Sequence, residues 1–125
     1  MRPNQDLVES LRHAFTGLWY AFKTQRNVRI HLIIAAAVVA LGLWLTLTPM
    51  EWAILTLTIG GVLVSEMLNT VAETLVDMVS PGYHPLAKVV KDVTAGAVLL
   101  ASILSIIVGL LLLGPPLWRV LFGTR

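Results

Sequence analysis

From residue 7 onward the chain shows two hydrophobic rhythms, first periodic and then nearly continuous. Leu7, Val8, Leu11, Ala14, Phe15, Leu18, Trp19 and Phe22 recur at helical spacing and share one face, an arc of roughly 140° at about 100° per residue. Glu9, Arg12, His13, Thr16, Tyr20 and Lys23 fall on the other face. With its large aromatics and the basic flank at Lys23, Arg26 and Arg29, this pattern predicts an amphipathic helix over residues 7–24, lying in a membrane interface. Its apolar residues are periodic rather than contiguous, which argues against a secretory signal.

Three long apolar runs follow, and each predicts a membrane span. The first covers residues 30–47 and, after His31, is interrupted only by Gly42 and Thr46. No second histidine stands at ligand spacing, so His31 reads as an interfacial or packing residue. Thr48-Pro49-Met50-Glu51 predicts a tight turn. The second run starts at Trp52, is apolar to Val64 and stays helical in pattern to Val79. At 1.5 Å per residue it is about 40 Å long against ~30 Å of hydrocarbon, so its far end should emerge from the core. Ser80-Pro81-Gly82-Tyr83-His84-Pro85 predicts a break. The third run, residues 93–113, carries no charge. Gly114-Pro115-Pro116 is expected to stop it, leaving residues 117–125 as a short interfacial tail with Trp118 and Arg119. The expected fold is an all-α integral membrane bundle in a single domain of residues 1–125.

Composition agrees. Of 125 residues, 57% are hydrophobic and only 13% charged, and the mean hydropathy is +0.83, far from the charged surface of a soluble domain. Without cysteine, neither disulfides nor thiolate metal sites arise. A net charge of +2 is too small to imply a nucleic-acid partner. Its distribution says more. Arg2, Arg12, Lys23, Arg26 and Arg29 precede the first span, and Lys88 and Lys91 lie between the second and third. The 48–51 turn has no basic residue, and the tail has only Arg119 and Arg125. The positive-inside rule then predicts a multi-pass protein of the cell (inner) membrane, with the N-terminus in the cytoplasm and the C-terminus outside.

The chemistry concentrates where the second run leaves the membrane. Glu66, Asn69, Glu73 and Asp77 are spaced three, four and four apart, within roughly 80° of one helix face. Charge at membrane depth is costly unless it faces protein or water, so such a face is a functional-site hypothesis. Lys91 and Asp92 return to the same boundary from the other side of the break. Carboxylates there can hold Mg²⁺ with a nucleotide phosphate completing the shell. Lys91 offers a point charge to phosphate, and Asn69 can bond a phosphate oxygen or orient a carboxylate. One acid beside a lipid hydroxyl can act as general base. Asp92 also fits as an N-cap for the last span. There is no Walker-type or kinase glycine-rich loop. Ala97, Ala101, Ser105 and Gly109 form a small-residue stripe that predicts close helix packing. Spacing and composition alone leave three classes open: a lipid-modifying enzyme, a proton or ion pathway component, and a structural assembly subunit.

Three stretches sharpen the choice. They are Ser10–Phe15 with Gly17 and Ala21–Leu32, the Glu66-x-x-Asn69-Thr70-x-x-Glu73…Asp77 segment, and Tyr83–Lys88 followed by Lys91-Asp92-x-x-Ala95-Gly96-Ala97. Together they resemble the prokaryotic diacylglycerol kinase / undecaprenol kinase family over about residues 7–113. Ile30-His31 and Ser80-Pro81 with His84–Lys88 look more like its undecaprenol-kinase branch. The resemblance implies a homotrimer of three-span subunits, each with an N-terminal surface helix, and composite active sites at the cytoplasmic face. It implies transfer of the γ-phosphoryl group of MgATP to a lipid alcohol, a step of phospholipid metabolism. Glu66 would be the general base at the lipid hydroxyl and Glu73 a Mg²⁺ ligand. Asn69, Glu73, Lys91 and Asp92 would bind the nucleotide, with Asp77 supporting. The family's further metal-holding glutamate corresponds to Gln25 here, and no other acid lies between residues 10 and 50. The amide oxygen of Gln25 can still coordinate, but without a negative charge.

Overall fold

The computed structural model describes residues 3–123, and side-chain surroundings from Asp6 onward. Arg2 and Arg125, counted above among the basic residues, lie outside the described residues. The described residues form four helices and no strand: α1 Pro3–Thr24, α2 Arg26–Leu45, α3 Pro49–Val79 and α4 Pro85–Phe122. The last three are long and apolar enough to cross a membrane.

Each helix end has a local cause. Only Gln25 separates α1 from α2, in an extended conformation. The Arg29 guanidinium donates to the carbonyls of Phe22 (3.0 Å) and Lys23 (2.9 Å), satisfying acceptors that the end of α1 would otherwise leave open. α2 therefore begins at Arg26, four residues before the apolar run. Thr46 closes it with φ 54°, its N–H bonded to the Gly42 carbonyl. Thr48 caps α3 by accepting from the Glu51 N–H (3.3 Å), and its hydroxyl donates to Glu51 Oε1 (2.9 Å). With Pro49 at the first helical position, Thr48 is a side-chain N-cap. The expected 48–51 turn is thus shorter, and Pro49, Met50 and Glu51 belong to α3. Ser80 ends α3 because a residue before proline avoids the helical region. His84 caps α4, its Nδ1 accepting from the Leu86 N–H at 3.1 Å.

Two expectations are corrected on α4. It starts at Pro85, so Asp92 is an interior residue and not an N-cap. It also runs through Gly114-Pro115-Pro116 to Phe122, where Gly123 closes it at φ 44°. Two prolines remove two N–H donors, yet the helix continues for six residues beyond Pro116. At 1.5 Å per residue α4 is about 57 Å long and outruns the ~30 Å hydrocarbon core.

α3 and α4 make the most extensive helix pairing. Ala101, Ser105 and Gly109 are half-buried, and Ala101 and Ser105 face Leu57, Thr58, Gly61 and Val62 of α3. Most of the small-residue stripe thus serves packing within the chain, while Ala97 is exposed. Hydroxyls on the spans bond back to their own helices: Thr58 to Ile54 O, Thr70 to Glu66 O, Thr94 to Val90 O, Ser105 to Ser102 O. This removes the cost of a bare polar group in hydrocarbon. The apolar core is thin, comprising Ala21, Val28, Leu45, Leu55, Val62 and Leu113 among the described residues. Leu7, Leu11, Phe15 and Trp19 of α1 are all exposed.

Candidate active site

The polar face of α3 is graded along its length. Glu66 and Asn69 are 2% and 9% exposed, whereas Glu73 and Asp77 are exposed. The helix therefore carries its acids from buried to exposed positions. Among buried side chains, Glu66 Oε2 and Asn69 Oδ1 have no hydrogen-bond partner. Two such acceptors three residues apart on one face are uncommon, because an unpaired buried polar atom typically costs about 1–3 kcal/mol, more if charged.

The sequence candidates assemble into pairs. Asn69 Nδ2 reaches Glu73 Oε1 at 3.4 Å, a long bond that leaves the carboxylate largely free. Lys91 Nζ donates to Asp77 Oδ1 at 2.7 Å, tying α4 to α3 just before the uncharged run begins at Val93. That hydrogen bond to the Asp77 carboxylate is the main reason the Lys91 ammonium is held above its ordinary pKa; desolvation opposes it, and the Asp77 and Glu73 charges add to the rise. Asp92 pairs with Lys88 one turn back on α4 and not with the α3 acids. Gln25 sits at the α1–α2 junction, where its side-chain amide bonds Thr24 Oγ1 at 3.4 Å. Among the described residues, no three Asp, Glu or His side chains converge as a ready metal cluster.

Two residues escaped the sequence reading. Lys88 is the partner of Asp92, and its signal was the i,i+4 spacing. His31 is not simply a packing residue: its Nε2 lies 3.9 Å from Glu66 Oε2. The signal was the hairpin itself, since His31 and Glu66 stand at nearly equal distances on either side of Thr48.

The comparisons with known proteins point the same way. A family model described as prokaryotic diacylglycerol kinase matches residues 12–113. A diacylglycerol kinase of Synechocystis sp. is 49% identical over 113 residues, 90% of this chain and 65% of that protein. An undecaprenol kinase of Bacillus subtilis is 42% identical over 109 residues, 87% of this chain and 89% of that protein. A diacylglycerol kinase of Escherichia coli is 26% identical over 107 residues. The chain thus spans just under two thirds of the Synechocystis relative and nearly all of the Bacillus one.

Proposed function

The chain belongs to the prokaryotic diacylglycerol kinase family, and from that premise we propose that it transfers the γ-phosphoryl group of MgATP to the hydroxyl of a membrane lipid alcohol, undecaprenol or diacylglycerol. The observation that carries this reading is Glu66, a buried carboxylate with an unpartnered oxygen where the second span meets its polar end. A hydroxyl supplies the donor that this oxygen lacks.

In the step, the lipid O–H bond breaks and its proton passes to Glu66 Oε2. The alkoxide oxygen forms a bond to the γ-phosphorus, and the bond from that phosphorus to the bridging oxygen breaks, its electrons leaving with ADP. Lys91, held by Asp77, presents positive charge at the boundary where the phosphates would lie, and Asp92 carries Lys88 beside it. Asn69 steadies Glu73.

The residues present fit a magnesium ion. Glu73 is exposed and only weakly bonded, and Mg²⁺ is typically held by one or two carboxylates together with substrate phosphates. Gln25 immediately precedes α2, six residues before His31, and Glu73 lies seven beyond Glu66 on the antiparallel α3; at 1.5 Å per helical residue both stand roughly 10 Å along the axis from the His31–Glu66 contact, on the same side of it. Glu73 would hold the ion, with the Gln25 amide oxygen as neutral support. When bound, the ion would offset negative charge on the transferring phosphoryl group.

The basic residues support a cytoplasmic site, with α1 resting Leu7, Leu11, Phe15 and Trp19 on the membrane interface. The thin core supports assembly with further copies, and the family resemblance implies a trimer with sites shared between them. The test is phosphorylation of undecaprenol and of diacylglycerol, presented separately in mixed micelles with radiolabelled ATP. Label should enter at least one lipid only when Mg²⁺ is present. No incorporation into either, by protein that is folded and membrane-extracted intact, refutes the reading.

A further inference from the structure

We propose that His31 is a second group on the acceptor hydroxyl: its Nε2–H and Glu66 Oε2 together form a notch that receives the alcohol oxygen. The inference rests on the kinase reading above and assigns a role that the acidic face alone does not supply. The gap between the two atoms is 3.9 Å, too wide for a direct hydrogen bond. An oxygen about 2.8 Å from each would span it with the two bonds at roughly a right angle, entering by a side-chain shift that opens Oε2, which is closed to solvent in the resting structure. Glu66 Oε2 is buried and unpartnered, so the notch has an acceptor waiting for a donor. A hydroxyl is both donor and acceptor, and therefore satisfies Glu66 and the histidine N–H at once.

The surroundings suit a lipid in particular. His31 lines a cavity of about 380 Å³ between α2, α3 and α4 whose other walls include Val38, Leu55, Val62, Ile106 and Leu110. The imidazole is thus a polar end to an apolar space, the environment that the first carbons beside a lipid hydroxyl require. A hydroxyl bonded to Glu66 alone still swings about its C–O bond. A donor on one lone pair directs the other, which is what in-line attack on phosphorus needs. His31 keeps its own proton throughout, and the proton lost by the alcohol goes to Glu66.

The experiment compares wild type, His31→Leu, His31→Gln and Glu66→Gln in full-length protein in mixed micelles. It measures lipid phosphorylation at varied lipid and ATP, and MgATP binding by calorimetry. His31→Leu should lower kcat about tenfold, the scale of one lost hydrogen bond between neutral partners, with MgATP affinity unchanged. His31→Gln, whose amide nitrogen can stand near the position of Nε2, should restore most of that loss. Wild-type turnover in His31→Leu overturns the proposal. So does equal loss in the Leu and Gln variants, which would make the ring a packing or ion-pairing group, and so does loss of MgATP binding, which would make it a structural support. Failure of the kinase reading looks different: wild type phosphorylates neither lipid, Glu66→Gln changes nothing, and the proposal falls with it.

Discussion

Glu66→Gln separates the chemical role of this residue from its structural cost. The substitution keeps shape and volume but removes the charge and the basic oxygen. Loss of a general base should cut turnover by roughly 10²-fold or more, which at 1.36 kcal/mol per decade is about 2.7 kcal/mol of transition-state stabilisation. Stability should move the other way. Glu66 is 2% exposed and its Oε2 lacks a donor, a debt of about 1–3 kcal/mol in the folded state and more when charged. A neutral amide reduces it, and its NH₂ is a donor three residues from Asn69 Oδ1, the other unpartnered acceptor on the face. Thermal unfolding in detergent should therefore show an equal or higher midpoint for the variant, alongside nearly unchanged MgATP affinity. Wild-type turnover would refute the base assignment. A lowered midpoint would refute the inference that the buried carboxylate is a liability in the resting fold.

Gln25→Glu should lower the free Mg²⁺ needed for half-maximal rate, since a full charge near a dication matters even at an effective dielectric of about 20; coincident titrations at saturating ATP would place Gln25 away from the ion. Gly42→Leu should lower the thermal midpoint, because even a Cβ there would stand 2.9 Å from Trp52 Cη2 and 3.0 Å from Leu47 Cδ1, and overpacking costs about 1–3 kcal/mol; an unchanged midpoint would mean the α2–α3 corner yields freely. Ala101→Leu should fill the open groove that Ala101 lines with Leu57, Gly61 and Val62, leaving the thermal midpoint nearly unchanged but weakening assembly and activity together; cross-linking in membranes that shows an unchanged oligomer with unchanged activity would refute a role for this groove in assembly.

The three spans and the acidic face were legible because each rests on local pattern. An uninterrupted apolar run needs no knowledge of its neighbours, and residues 66, 69, 73 and 77 share a face in any helix. What stayed illegible depends on context or on pairing. Gly114-Pro115-Pro116 reads as a stop because proline lacks an N–H and crowds the preceding turn, yet two adjacent prolines interrupt only a small part of the hydrogen-bond ladder of a 38-residue helix. The continuing helix carries Trp118 and Phe122 with ring centroids 4.3 Å apart, and Arg119 Nε reaches back to the Pro115 carbonyl at 3.4 Å. Asp92 reads as a cap because the apolar run begins beside it. The helix begins earlier because His84 and Pro85 form a better start. The Lys91–Asp77 bond crosses fourteen residues and a break, and no spacing rule selects it over Lys91 with Asp92.

The division of charge along α3 suits the proposed site, whose residues run from Glu66 near the middle of the helix to Asp77 near its end. Asp77 and Glu73 are exposed, and Lys91 neutralises Asp77 from α4, so the outer part of the face stays hydrated and suited to phosphates. Glu66 and Asn69 are buried, and Glu66 lies beside His31, which lines an apolar cavity between α2, α3 and α4. Phosphoryl transfer between a water-soluble donor and a membrane-bound acceptor needs both environments within a few helical turns. One helix face that passes from buried to exposed over three turns supplies them, provided that a neighbour fixes its rotation. α4 is that neighbour. Its small residues let it lie close against α3 in the span, and Lys91 extends the same contact beyond the hydrocarbon. Breaking the Lys91–Asp77 bond should therefore disturb phosphate binding more than lipid binding, because the tie lies at the exposed end of the face, about three turns beyond Glu66.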